Sequence, residues 1–518
     1  MSVLTRRTLG SWREEVRVRL EEFRSEHNPL VVVFLAAGVC CVSLVMVGTN
    51  GNLFLALAAV AAIGLAIVSL KRIDLGFSLF VGVVLLSDVD RVPGFWPMTF
   101  TLRYFNNFNA NPFLQVPGGV ISPMELHLIC LFAVWFIMVA IQKQHVRFNK
   151  VPVPFPAFIL AIWIIMMFGY GLSRGGDLTW GLWQTRALFY LFILLAITPQ
   201  IIQTREQIET LLWICIGAIT VKAVQGAQRF ASLGFSFQGF FTLTNHDDPV
   251  YFITLFMLLA GFLMWNVKTV QSRVLLWLTP VLLLGFFAGN RRATYSSWFL
   301  TIVAFTALVG DRERKIMFRL MKWGAVVAVL YLVVFWNSYG TLGNIAQQVK
   351  AELTGEQETV RANRDYMSDL YRKWEDYNLA VTFRGVPIEG LGFGRKYETP
   401  LVWWNFLEAT PIMAYTPHNQ LIWMASTMGT VGFFWFLLFF NTFLFQASHV
   451  FTSVNEPFLK AVCALIIVSV INQLVVTYFD MQLTWPRNMV YLGVLMGLMS
   501  SVHQISHAEE ERALALKK

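Results

Sequence analysis

The sequence predicts an all-α polytopic membrane protein of about fourteen transmembrane helices with one large extramembrane loop. Three observations carry this. Of 518 residues, 56% are hydrophobic and 14% charged, against roughly 25% charged in ordinary soluble domains. Mean hydropathy is +0.57, and aromatic residues reach 15%. Apolar runs suited to a bilayer core about 30 Å thick recur along the whole chain. Such a composition excludes a cytosolic enzyme, a disordered chain and a secreted disulfide scaffold. The net charge, 40 − 31 = +9, reads here as basic loops held on the cytoplasmic side, not as a nucleic-acid surface.

Residues 1–28 form a cytoplasmic segment carrying Arg6, Arg7, Arg13, Arg17, Arg19 and Arg24. No cleavage site follows the first apolar run, which therefore stays as an anchor. A bundle over 29–336 holds spans at 30–47, 53–70, 75–86, 126–141, 155–169, 180–202, 208–221, 251–267, 274–289, 293–310 and 323–336. A second stretch, 418–502, holds spans at 430–445, 459–479 and 489–502. Alternation then puts 71–72, 143–150, 268–273, 311–322 and the tail 503–518 inside, and all are basic or balanced. Three outer segments are longer than a turn: 88–121, 225–249 and 337–417. The last is the one large hydrophilic segment. It holds eight basic and ten acidic residues, and 344–377 within it reads as helical. Cys40, Cys41, Cys130, Cys215 and Cys463 lie in apolar runs without metal-site spacing, so packing is their expected role.

Chemistry is sought on the outer side. His418 follows Pro417 and opens a helix, facing water at the edge of the bundle. An imidazole there can take a proton from a sugar hydroxyl; the competing reading is a helix cap. Arg291 and Arg292 lie at an outer membrane face, against the positive-inside bias. Arginine keeps its charge and binds phosphate with a planar fork; the competing reading is snorkelling to head groups. Arg372 stands in a probable loop helix, and Arg186 and Lys222 lie near outer ends of spans. Asp88-Val89-Asp90 has the D-x-D form of many metal-dependent sugar transferases, a three-residue match common by chance, and His246-Asp247-Asp248 is either a metal or acid/base run or a loop cap before Pro249. Gly390-Leu391-Gly392-Phe393-Gly394 has no βαβ context and reads as a tight turn near the site.

The order of these motifs resembles a known family. Arg291-Arg292-Ala293 precedes a span; a long outer loop follows with Arg372 and Trp374; then come Pro387, the glycine run, His418-Asn419 and Gly429-Thr430-Val431-Gly432. This is similar to the O-antigen ligase and O-antigen polymerase superfamily of bacterial envelope glycan assembly, over about 230–445. The resemblance implies a glycosyltransferase-C-like fold in the bacterial inner membrane, with the active site on the periplasmic side. It implies transfer of glycan, with inversion and without metal or cofactor, from an undecaprenyl-diphosphate donor. The acceptor is a sugar hydroxyl, on another lipid-linked repeat in polymerases or on lipid A-core in ligases. The family's residues carry over onto Arg291, Arg372 and His418. Many members have Ser before the first arginine and Gly or Thr after it; here Asn290 and Arg292 stand there, so either arginine fills the position. Arg292, Arg186, Lys222 and Asn419 are further substrate-binding candidates, and Tyr371, Trp374 and Tyr377 are suited to stack on sugars. The enlarged aromatic loop favours polymerase over ligase. Other polysaccharide assembly proteins are expected partners. The rival outside enzymes is a lipid-linked oligosaccharide flippase, against which stands the lack of an internal repeat.

Overall fold

A computed structural model of the chain describes residues 40, 43, 53–89, 98–101, 103–109, 120–141, 151–237, 240, 242–338, 343–354, 360–402 and 411–515. The expected span at 30–47, apart from positions 40 and 43, lies outside these residues. So do the N-terminal arginines, Cys41, the segment 143–150 and Asp90. The described residues form helices and contain no strand. In order these are α1 (Leu53–Lys71), α2 (Ile73–Leu86), α3 (Pro123–Ile141), α4 (Pro154–Ser173) and α5 (Leu178–Ile201). Then come α6 (Arg205–Ser232), α7 (Asp248–Met264), α8 (Val270–Gly289), α9 (Arg292–Leu308) and α10 (Asp311–Phe335). The chain continues with α11 (Asn344–Thr354), α12 (Val360–Gly385), α13 (Gln420–Ser453), α14 (Pro457–Phe479) and α15 (Pro486–Ala515). Nine of the described helices are long and apolar enough to cross a membrane: α3, α4, α5, α6, α8, α10, α13, α14 and α15. The protein is a helical, multi-pass membrane protein.

The chain divides into two compact units, Met1–Phe80 with Asn107–His145, and Val81–Asn106 with Val146–Lys518. In the first, α1 packs on α3. A reciprocal cap starts α3: the Glu125 carboxylate accepts from the Ser122 amide at 2.7 Å, and the Ser122 hydroxyl accepts from the Glu125 amide at 3.2 Å. The His127 ring meets Phe80 edge-on at 5.1 Å. Cys40 and Cys130 are exposed rather than packed within this chain, whereas Cys215 and Cys463 in the second unit are buried as expected.

In the second unit α5, α14 and α15 are the most enclosed of the nine spans. The α5–α15 seam depends on small residues. Gly493 and Gly497, one helical turn apart, lie against the backbone of Leu191 and Leu195, where a Cβ would collide. Close approach of this kind maximises dispersion between helices whose alternative neighbour is equally apolar lipid. Gly285 of α8 meets Ala223 of α6 in the same way. By contrast, the apolar stretch of α10 has no enclosed residue, and Trp323 and Val333 are 63% and 71% exposed.

Several expected boundaries move. Segment 311–322, expected as an inner loop, is the first half of α10, because its Arg, Glu, Lys, Met and Leu residues favour helix and nothing breaks it. The expected tail 503–518 continues α15 to Ala515 for the same reason. The outer segment 225–249 begins as helix, since α6 runs on to Ser232. Within the large segment 337–417 the expected helical part, 344–377, corresponds to α11 and α12, and a ribbon then returns into the bundle.

That ribbon is the glycine run. Gly390, Gly392 and Gly394 have φ of +78°, +86° and +81°, open to glycine alone without strain. The intervening backbone bonds outward. Leu391 and Gly392 amides donate to the Ser426 and Thr427 carbonyls of α13, each at 2.9 Å, and Phe393 donates to Met167 of α4 at 3.1 Å. The α13 carbonyls are available because the helix is broken at Gly429 (φ 67°, ψ 178°). The expected span 430–445 is thus the long arm of a broken helix whose short arm is 420–428.

Candidate active site

The sharp α8–α9 turn places two arginines together. Asn290 closes α8 in the left-handed conformation, φ 46°, a role suited to asparagine. Arg291 is then the N-cap of α9 and Arg292 its first residue. Arg291 Nη1 donates to Asp480 Oδ2 at 2.5 Å and to the His246 carbonyl at 3.2 Å. Arg292 turns the other way and forms a two-pronged pair with Asp369 of α12, at 2.8 and 2.7 Å. One turn along α12, Arg372 Nη1 lies 3.9 Å from the same carboxylate, and its Nε is buried without a hydrogen-bond partner. Arg291 thus lies with Asp480, and Arg292 ties α12 to α9.

His418 stands just before Asn419, whose side chain caps α13 by accepting from the Ile422 amide at 3.3 Å. Glu375 of α12 holds His418 twice through one oxygen, with the backbone amide at 3.1 Å and Nδ1 at 2.9 Å. Glu375 is 2% exposed. The Tyr371 ring, one turn earlier on α12, meets the imidazole edge-on at 6.0 Å. Burial, with the Glu375 carboxylate beside it, pushes the Tyr371 hydroxyl up.

These groups share one field. Burial opposes ionisation of Asp480, yet Arg291, then His246, His418 and Arg372, outweigh it and hold the carboxylate well below its usual range. His246 has an exposed side chain, but Arg291 first and then burial push its imidazole down to about 3. Burial also pushes the Arg372 guanidinium down, with Asp480 opposing. Arg291, Arg372 and His418 therefore gather around Asp480 and His246, at the end of the bundle where α7, α9, α13 and α15 begin.

Other candidates sit elsewhere or in other roles. Lys222 is 4% exposed and paired with Asp88, which also takes bonds from Asn245 and, at 2.5 Å, from Thr99. Asp247 and Asp248 both pair with Arg487, at 3.0 and 2.7 Å, and Arg487 is fully buried. Among the described residues no group of three or more His, Cys, Asp or Glu side chains is arranged to hold a metal ion. Arg186 is half-buried in α5, Trp374 is half-buried in α12, and Tyr377 is 51% exposed.

Sequence reasoning missed Asp480, Glu375 and Arg487. Asp480 and Arg487 had a signal: Asp480 is the sole acid between Glu456 and Glu509, and Arg487 lies seven residues on, between two very apolar spans. Glu375 had a weaker one, sharing a helix face with Tyr371 at spacing four. No protein-family model matches the chain, and no curated protein matches it.

Proposed function

We propose that the protein is a periplasmic-facing glycosyltransferase of the O-antigen ligase/polymerase type, with a glycosyltransferase-C-like fold of about fourteen spans in the bacterial inner membrane. It moves glycan from an undecaprenyl-diphosphate donor to a sugar hydroxyl, with polysaccharide polymerase as the leading reading and ligation to lipid A-core close behind. The observation that supports it best is the gathering of Arg291, Arg372 and His418, distant in sequence, around one buried carboxylate.

In this reading the acceptor oxygen attacks the anomeric carbon as the bond to the diphosphate breaks. The electron pair leaves on the diphosphate, and the hydroxyl proton passes to His418. Arg372, whose Nε has no partner, and Arg291 face the charge that grows on the leaving group. The α9 N-terminus adds its partial positive charge at the same end. Lipid-exposed helices such as α10 leave the bilayer side open to a polyprenyl tail.

The test is transfer in proteoliposomes supplied with an undecaprenyl-diphosphate-linked glycan and either a second lipid-linked repeat or lipid A-core. His418→Ala and Arg372→Ala are each expected to lower the rate by roughly 10²-fold or more. Wild-type rates in correctly inserted variants refute the assignment. The acceptor that is extended separates polymerase from ligase.

A further inference from the structure

Glu375 is a buried acid that the steps above do not use. We infer that it is a positioning residue for His418 and that it selects Nε2 as the nitrogen presented to the acceptor hydroxyl. The inference rests on His418 being the base of the proposed transfer.

The geometry makes three points. First, one Glu375 oxygen takes both the His418 amide, at 3.1 Å, and Nδ1, at 2.9 Å. Backbone and ring are thereby held by the same atom. Second, an ionised carboxylate only accepts hydrogen bonds, so Nδ1 carries the hydrogen and the lone pair of the neutral ring lies on Nε2. Third, two guanidinium groups stand close to the imidazole. Arg291 and Arg372 are close enough to act on the same groups as His418, and Asp480 is already paired with Arg291 at 2.5 Å. When Nε2 takes the hydroxyl proton, the positive charge forms beside the buried Glu375 carboxylate. Asp376, Tyr371 and Tyr397 complete the groups around this pair. A site that uses arginines to hold a diphosphate needs such a counter-charge for its base to function.

Two measurements test this. Nitrogen-15 spectra of histidine-labelled full-length protein, with His418→Asn used to assign the signal by difference, report the tautomer without any turnover. The Nδ1–H form is expected; the Nε2–H form overturns the inference even if Glu375 variants fail to fold. In the transfer assay Glu375→Gln is expected to lower kcat by roughly 10²-fold while donor KM stays within about threefold. Glu375→Asp should recover part of the rate. Wild-type kcat in Glu375→Gln, alongside an inactive His418→Ala, overturns the positioning role but leaves His418 as base. An active His418→Ala overturns the base reading itself.

Discussion

An imidazole next to a guanidinium gives up its proton early, and His246 stands beside Arg291. Its folded value, near 3, lies below the ordinary 6.5. Between these limits the unfolded chain binds a proton that the folded chain does not, so stability rises with pH and is lost as pH falls from about 6.5. The thermal midpoint in detergent should therefore drop between pH 7 and pH 5, and drop less steeply in His246→Asn. Equal slopes would contradict the assignment. Arg291→Gln should return the His246 titration toward its ordinary value. The residues legible beforehand were those whose type is anomalous for its place: arginines at an outer face, and a histidine at a helix entrance. Asp369 was not legible and Glu375 only weakly so, because acids on a helix rich in Arg, Lys and Asp look like a solvated face until the helix is docked.

At the scale of elements, the glycine ribbon is the tightest fit in the second unit, and substitutions should separate its two demands. Gly175 has φ +84° in open space, whereas Gly392 has φ +86° with its missing Cβ directed at Gly171. Gly175→Ala should cost about 1–2 kcal/mol, the strain of the left-handed conformation alone. Gly392→Ala should cost about 2–5 kcal/mol, because backbone must also move. Unfolding in detergent measures both, and equal losses would mean that the ribbon is less confined than its hydrogen bonds indicate. Sequence reading recognised a turn here from the alternating glycines. The partners escaped it, because they lie on α4, α5 and α13, far off in the chain. The break at Gly429 escaped for the same reason: apolar periodicity continues through it.

Across the whole molecule, the balance of burial is legible and the buried charge is not. Hydropathy located the long apolar helices because lipid imposes length and composition on each separately. It said nothing of Arg487, which reaches Asp247 at 3.0 Å and Asp248 at 2.7 Å and stacks 4.7 Å from the Tyr251 ring. This network joins the loops that carry His246 and Asp480. Arg487→Met should destabilise the protein by roughly 3–5 kcal/mol, since it strands paired carboxylates in the interior. Adding Asp247→Asn should recover part of that loss, and a double variant no better than the single would refute the pairing. One consequence of the break in α13 is mechanical. The helix is a jointed strut: its long arm stands in the bilayer, while its short arm, with His418 at the tip, is clamped by the ribbon and by α12. A load that tilts or bends the long arm ends at the joint. A continuous helix in its place would make the thickness of the membrane a determinant of where the imidazole points.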